Sequence, residues 1–275
     1  MTVEVYEAKG DKGDGIFTGF KGLDILTGGL KKGDVTVIAG RPSLGKSALA
    51  LSILEHVGAK DKIPCVYFSL ELPRNQLTER MLSSMSGVDI NKIRSGFLSK
   101  TEWPKLVSTA GRISGESIFI DDTPGITALE IKEKARSLKA EHDIKLIIVD
   151  YLQLVSGESS SGSRRQKMSD ISREIRAIAT ELDVPVIVTS QLSRAAERRE
   201  DHRPHLSDLG YSAGNIERFA DHVWFLVREE YYNPNEKNAG EAEIILAKNR
   251  RGPTGSIMLR FSRGTASFSD VPVSL

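Results

Sequence analysis

Residues Gly40 to Ser47 read Gly-Arg-Pro-Ser-Leu-Gly-Lys-Ser, a complete G-x-x-x-x-G-K-S/T phosphate loop. Such a loop works only between a buried strand and the start of a helix, so it dictates the local fold on both sides. The apolar run Val35-Thr36-Val37-Ile38-Ala39 precedes it, and the helix-forming stretch Ala48-Leu49-Ala50-Leu51-Ser52-Ile53-Leu54 follows. Gly40, Arg41, Pro42, Ser43, Leu44 and Gly45 would curl successive backbone N–H groups around a polyphosphate, and the helix N-terminus adds its dipole. Lys46 would reach the β- and γ-phosphates, and the Ser47 hydroxyl would complete the shell of a Mg²⁺ ion. The bland alternative is a glycine turn joining a strand to a helix. The flanking strand and helix favour a nucleoside triphosphate site, with ATP and Mg²⁺ as the expected cofactors.

The bulk composition adds limits. A chain of 275 residues with 39% hydrophobic and 27% charged content reads as an ordinary globular fold. No apolar run approaches the ~20 residues of a membrane span, so no membrane partner is expected. The N-terminus lacks the basic-then-apolar order of a secretory signal. The single cysteine, Cys65, excludes a disulfide framework and suits a reducing cytoplasm. A net charge of +1 supplies no global attraction for nucleic acid, so such binding would need local basic clusters.

The glycine- and charge-rich stretch 9–15 reads as the end of a linker or tail over residues 1–15, with one domain over 16–275. Strands are expected near 35–39, 65–69, 117–121, 145–149, 184–189, 222–227, 242–247 and 256–261. Helices are expected near 46–58, 73–85, 127–141 and 166–182, the last with Met168, Ile171, Ile175, Ile178 and Leu182 along one face. Leu146-Ile147-Ile148-Val149 and Val186-Ile187-Val188 do not alternate with polar residues, which marks strands of a parallel sheet covered on both faces. The later strands, joined at Gly252-Pro253, read as antiparallel. The fold class is therefore α/β: a mostly parallel twisted sheet flanked by helices, with antiparallel C-terminal strands.

Hydrolysis needs more than a phosphate loop. Asp150 closes the run Leu146-Ile147-Ile148-Val149-Asp150, placing a carboxylate at the carboxyl edge of the sheet as a second Mg²⁺ anchor. A helix or turn cap is its simpler role. Glu71 follows the strand Val66-Tyr67-Phe68 and could polarise the attacking water, or sit as a surface carboxylate ahead of a helix beginning near Pro73. Gln191, after Val186-Ile187-Val188-Thr189-Ser190, could sense the γ-phosphate or merely end a strand. Lys248 and Arg250 occupy a basic hairpin tip. They could act on a neighbouring subunit's nucleotide, or discourage edge-to-edge aggregation.

Together these blocks resemble the C-terminal motor domain of DnaB-type replicative hexameric DNA helicases. The likeness runs from about Phe17 to about Phe268 and includes Thr18-Gly19-Phe20, Leu23-Asp24 and Leu26-Thr27-Gly28-Gly29-Leu30. It continues through Arg41-Pro42-Ser43, Ser69-Leu70-Glu71, Asp150-Tyr151-Leu152-Gln153-Leu154, Ser190-Gln191-Leu192-Ser193-Arg194, Arg203-Pro204 and Ser207-Asp208-Leu209. Lys248-x-Arg250 before Gly252-Pro253 completes it. The resemblance implies a RecA-like P-loop NTPase fold and a homo-hexameric ring with ATP sites at subunit interfaces. It implies Glu71 as catalytic base, Gln191 as the γ-phosphate-linked glutamine, and Lys248 and Arg250 as the pair acting in trans. Single-stranded DNA would run along loops near 153–165 and 203–216. Primase and a helicase loader are the partners it implies.

Arg194, Arg198, Arg199, His202 and Arg203 give local positive charge beside the second loop, and Arg194 and Arg203 are candidate DNA contacts. The family pattern Arg-Glu-Ser-Gly is replaced after Leu209 by Gly210-Tyr211-Ser212-Ala213-Gly214-Asn215. Gly210 and Gly214 would let the backbone approach phosphates, and Tyr211 would stack on a base. The chain begins about where the family's linker to an N-terminal collar ends. Without a collar, the ring is expected to be weak and to assemble with nucleotide or DNA. The competing readings are a RecA- or KaiC-like ATPase that does not unwind DNA, and a nucleotide-switched assembly platform.

Overall fold

The computed structural model describes residues 15–115, 117–157, 163–199, 201–210, 216–236 and 238–272. Most of the expected tail, residues 1–14, lies outside them, while Ile16 bridges to Leu30 and so belongs to the folded body.

The chain enters through α1 (Lys21–Thr27) and turns at Gly28, whose left-handed φ of 70° ends the helix. β1 (Val35–Gly40) leads through the glycine loop into α2 (Lys46–Leu54), which continues as one wider turn over Glu55–Lys60. β2 (Cys65–Ser69), α3 (Arg74–Ser86), α4 (Ile90–Ser95), α5 (Glu102–Ser114) and β3 (Ile118–Asp121) follow. Next come α6 (Ala128–His142), held by a reciprocal Thr127–Glu130 capping box, and β4 (Leu146–Asp150). α7 (Arg164–Leu182) precedes β5 (Val186–Gln191), and two short helices, α8 (Ser207–Gly210) and α9 (Ile216–Phe219), precede β6 (His222–Val227). The chain closes with β7 (Glu241–Asn249), β8 (Gly255–Ser262) and β9 (Ser267–Asp270).

One nine-stranded sheet runs β3-β2-β4-β5-β1-β6-β7-β8-β9. The strands from β3 to β6 in that order are parallel, and β7, β8 and β9 add antiparallel. All eight expected strands are present. β9 was not expected, because Ser267-Phe268-Ser269-Asp270 is short and polar apart from one ring. α1, α4 and α5 also escaped the sequence reading. In α5, Pro104 and Gly111 break the helical pattern, yet Pro104 lies in the first turn, where a missing N–H costs nothing.

The uninterrupted apolar strands are buried on both faces, as a helix-covered parallel sheet requires. Val35, Val37, Val66, Phe68, Ile147, Val149, Val186 and Val188 pack on one side with Ile171, Ile175 and Ile178 of α7. Ile38, Tyr67, Leu146, Ile148, Ile187 and Trp224 pack on the other with Leu49, Ile53 and Leu54 around α2. Truncating Ile175 to alanine would cost about 2–5 kcal/mol at such a site. Two filled layers therefore hold the carboxyl ends of β1, β2, β4 and β5 in fixed relation. Among the described residues, no helix is long and apolar enough to cross a membrane.

Candidate functional site

The phosphate loop leaves β1 at Gly40 and re-enters helix at Lys46, with left-handed backbone at Ser43 (φ 66°) and Gly45 (φ 104°). A Cβ at Gly45 would lie 3.1 Å from the Phe268 ring, so glycine there serves both conformation and space. Lys46 is buried, and its Nζ donates to the Arg41 carbonyl at 3.0 Å. Burial pulls its pKa down to about 8, against the opposing charges of Asp150 and Glu71. Both carboxylates therefore lie near enough to act on the lysine's charge.

Asp150, at the end of β4, is buried and accepts hydrogen bonds from the Tyr67 hydroxyl (2.7 Å) and the Thr189 hydroxyl. Both donors come from the neighbouring strands β2 and β5, so the sheet fixes the carboxylate's position. Glu71 lies just past β2 and is exposed. Among the described residues, no cluster of three or more His, Cys, Asp or Glu could hold a metal alone. Ser47 and Asp150 offer one hydroxyl and one carboxylate. That hard-oxygen set suits Mg²⁺ when phosphate oxygens and water complete the shell.

Gln191 ends β5 in register with Gly40, beside the phosphate loop. Arg41 ties the loop to the segment beyond Gln191, donating to the Leu192 carbonyl (2.9 Å) and to Glu197 (2.7 Å). On the other flank, the buried Arg228 stacks on Phe261 at 3.9 Å, pairs with Glu230 and donates to the Leu44 carbonyl at 3.4 Å. Lys46, Glu71, Asp150 and Gln191 thus converge at one sheet edge.

Lys248 and Arg250 lie at the other edge. Asn249 pairs with His222, and His222 with Thr36, four residues before Gly40. At strand rise that offset is about 13 Å along the sheet, away from the phosphate loop. Neither side chain reaches the phosphate loop of its own chain. Lys248 instead donates to the Glu217 (2.5 Å) and Ala220 (2.8 Å) carbonyls. Arg250 donates to the Arg218 carbonyl (2.5 Å) and lies 3.4 Å from the Asp221 carboxylate.

The basic cluster is divided in its duties. Arg199 grips Asp208 and the Arg203 carbonyl, Arg203 pairs with Glu243 at 2.7 Å, and His202 stacks on Tyr232 at 4.4 Å. Arg194 and Arg198 are exposed. Gly210 ends α8, while Tyr211 and Gly214 lie outside the described residues.

The family described as "DnaB-like helicase C terminal domain" matches residues 15–270. The chain belongs to that family. It is 45% identical over 259 residues to the replicative DNA helicase DnaC of Bacillus subtilis, covering 94% of this chain and 57% of that protein. It is also 45% identical over 248 residues to the replicative DNA helicase DnaB of Geobacillus stearothermophilus, covering 90% and 54%. The chain therefore spans about half the length of these curated relatives. Among solved structures, the "ATPase Domain of G40P" superposes with a TM-score of 0.90 at 35% identity, covering 98% of this chain and 97% of that one. A structure titled as a DnaB-like replicative helicase and its interactions with primase gives 0.91 at 34% identity, covering 98% and 66%. The fold is the RecA-like ATPase architecture of these neighbours.

Three residues at the site escaped the sequence reading as functional candidates: Tyr67, Gln153 and Arg228. Arg228 follows the buried run of β6 as Glu71 follows β2, and that rule would have found it. Tyr67 lies inside an apolar run and reads as core. Gln153 carries no such local signal, because its partner Gln191 lies 38 residues along the chain.

Proposed function

We propose that this chain is the motor of a replicative DNA helicase, hydrolysing ATP at the interfaces of a hexameric ring to translocate on single-stranded DNA. The observation that carries the reading is the division of the hydrolytic groups between opposite edges of one sheet. Lys46, Ser47, Glu71, Asp150 and Gln191 share the carboxyl edge, whereas Lys248 and Arg250 sit at the far edge. A head-to-tail contact between copies brings one edge to the other, and such contacts form a ring when the rotation between copies closes.

At that junction the glycine loop from Gly40 to Ser47 wraps the triphosphate, and Lys46 neutralises its β- and γ-oxygens. Ser47 and Asp150 would hold a Mg²⁺ ion, which would supply charge neutralisation beside the triphosphate. Glu71 takes the proton of the attacking water, and Gln191 reads the γ-phosphate. Arg250 and Lys248 of the adjacent copy stabilise transition-state charge, a contribution on the order of 10³–10⁵ in rate for an arginine supplied in trans. The DNA path runs past Arg194, Gly210, Tyr211 and Gly214, and Arg203 joins it through a guanidinium already oriented by Glu243. Primase and a loader are the protein partners, the chain acts in the cytoplasm, and residues 16–275 form the motor domain.

DNA-stimulated ATP hydrolysis tests this. The chain should hydrolyse ATP faster with single-stranded DNA, and Glu71→Ala and Arg250→Ala should each abolish the stimulated rate. Stimulated hydrolysis without displacement of a strand from a forked duplex would favour the RecA- or KaiC-like alternative. Full activity in Lys46→Ala would favour an assembly platform.

A further inference from the structure

We propose that Gln153 is a positioning residue for hydrolysis, which orients Gln191 and couples it to the loop that follows β4. The proposal rests on the reading of Gln191 as the group that senses the γ-phosphate.

In the parallel pair β4·β5, alternate residues of β5 turn their peptide groups toward β4, and Ile147 N–H donates to the Pro185 carbonyl. Counting in twos from Pro185 makes the peptide groups of Ile187, Thr189 and Gln191 face the same way. Leu192 N–H, one residue on, donates instead to Gly40 on the β1 side at 3.2 Å. β4 stops at Asp150, so no strand remains beside Gln191 to complete the ladder.

Gln153 fills that rung. Its Nε2 donates to the Gln191 carbonyl (3.1 Å) and to the Ser190 hydroxyl (3.0 Å), and its Oε1 accepts from Gln191 N–H (3.3 Å). A primary amide carries the same donor–acceptor pair as a peptide group, so it can replace a strand residue. The facing N–H and carbonyl of Gln191 also settle which way the amide points. The segment Asp150–Gln153 therefore joins the buried Asp150 carboxylate at the end of β4 to the backbone from which the Gln191 side chain projects. Gln153 belongs to the short turn Leu152–Leu154, which leads directly toward the loop assigned to DNA. A shift of that turn moves Gln191, and γ-phosphate binding at Gln191 pulls on the turn.

A double-mutant cycle on the full chain tests this, using ATPase kcat with and without single-stranded DNA, ADP affinity and Tm. Gln153→Ala should lower DNA-stimulated kcat about tenfold with ADP affinity held within about twofold, since ADP has no γ-phosphate. Gln153→Glu keeps the shape, loses both donors and should fail to the same degree. In a Gln191→Ala background, Gln153→Ala should cause no further loss. Losses that multiply in the double variant, or a kcat drop that follows Tm, would assign Gln153 to the structure alone and overturn the proposal. A Gln153→Ala enzyme with unaltered stimulation would overturn it too. If Gln191→Ala itself hydrolyses ATP normally, the sensor reading falls and takes this proposal with it. If only Gln153→Ala is silent, this proposal alone falls.

Discussion

Glu55 gives a stability prediction whose size follows from its surroundings. It lies in the wide turn that extends α2, where Ser84 donates to Oε2 at 2.7 Å while Oε1 is buried without a partner. Burial raises the carboxyl pKa from 4.5 to about 8. The folded protein therefore keeps a proton that the unfolded chain releases above pH 4.5. Stability from this group is complete below pH 4.5 and is lost progressively as pH rises through 8. At about 1.36 kcal/mol per pH unit, the loss reaches roughly 3 kcal/mol at pH 7 and roughly 5 at pH 9. Relaxation and water penetration around the buried carboxylate bring the expected effect at pH 8.5 to about 1–3 kcal/mol. Glu55→Gln mimics the protonated carboxyl and should remove this pH slope. Urea unfolding at pH 5, 7 and 8.5 should show the variant near wild type at pH 5 and more stable than wild type at pH 8.5. A variant with the wild-type slope, or one less stable at pH 8.5, would refute the burial argument.

Lys46, with its pKa near 8, should regain a full proton beside phosphates. Nucleotide affinity should therefore weaken about tenfold between pH 7 and pH 9 in a fluorescent-nucleotide titration. Tyr67→Phe removes a buried hydroxyl donor from Asp150 and should lower unfolding stability by about 1.5–3 kcal/mol, read by urea denaturation. Gly45→Ala forces a side chain into left-handed backbone against Phe268 and should weaken nucleotide binding, with unfolding stability lowered by about 1–3 kcal/mol.

Much of this architecture is readable from residues alone. The run Val35–Ala39, the loop Gly40–Ser47 and the acid after Val149 place strand, turn and a carboxylate at the sheet's carboxyl edge, because each is a local pattern tied to a local conformation. What stays hidden depends on contacts between distant segments. Gln153 matters only because β4 ends before β5 does, and no pattern within either strand reveals that difference. Arg199 and Arg203 read as a free basic cluster, yet they are paired with Asp208 and with Glu243, the latter 40 residues along the chain. The spacing of Lys248 and Arg250 places them on a hairpin, but only the register through His222 and Thr36 sets them at the edge opposite the phosphate loop.

The central claim is that each catalytic centre is built from two copies of the chain. It is tested most directly by mixing Lys46→Ala subunits with Arg250→Ala subunits and measuring DNA-stimulated ATP hydrolysis. In an equal random mixture about a quarter of the junctions combine an intact phosphate loop with an intact arginine, so activity should rise above either parent. Mixed assemblies that sediment as rings yet hydrolyse no faster than their parents would contradict the account.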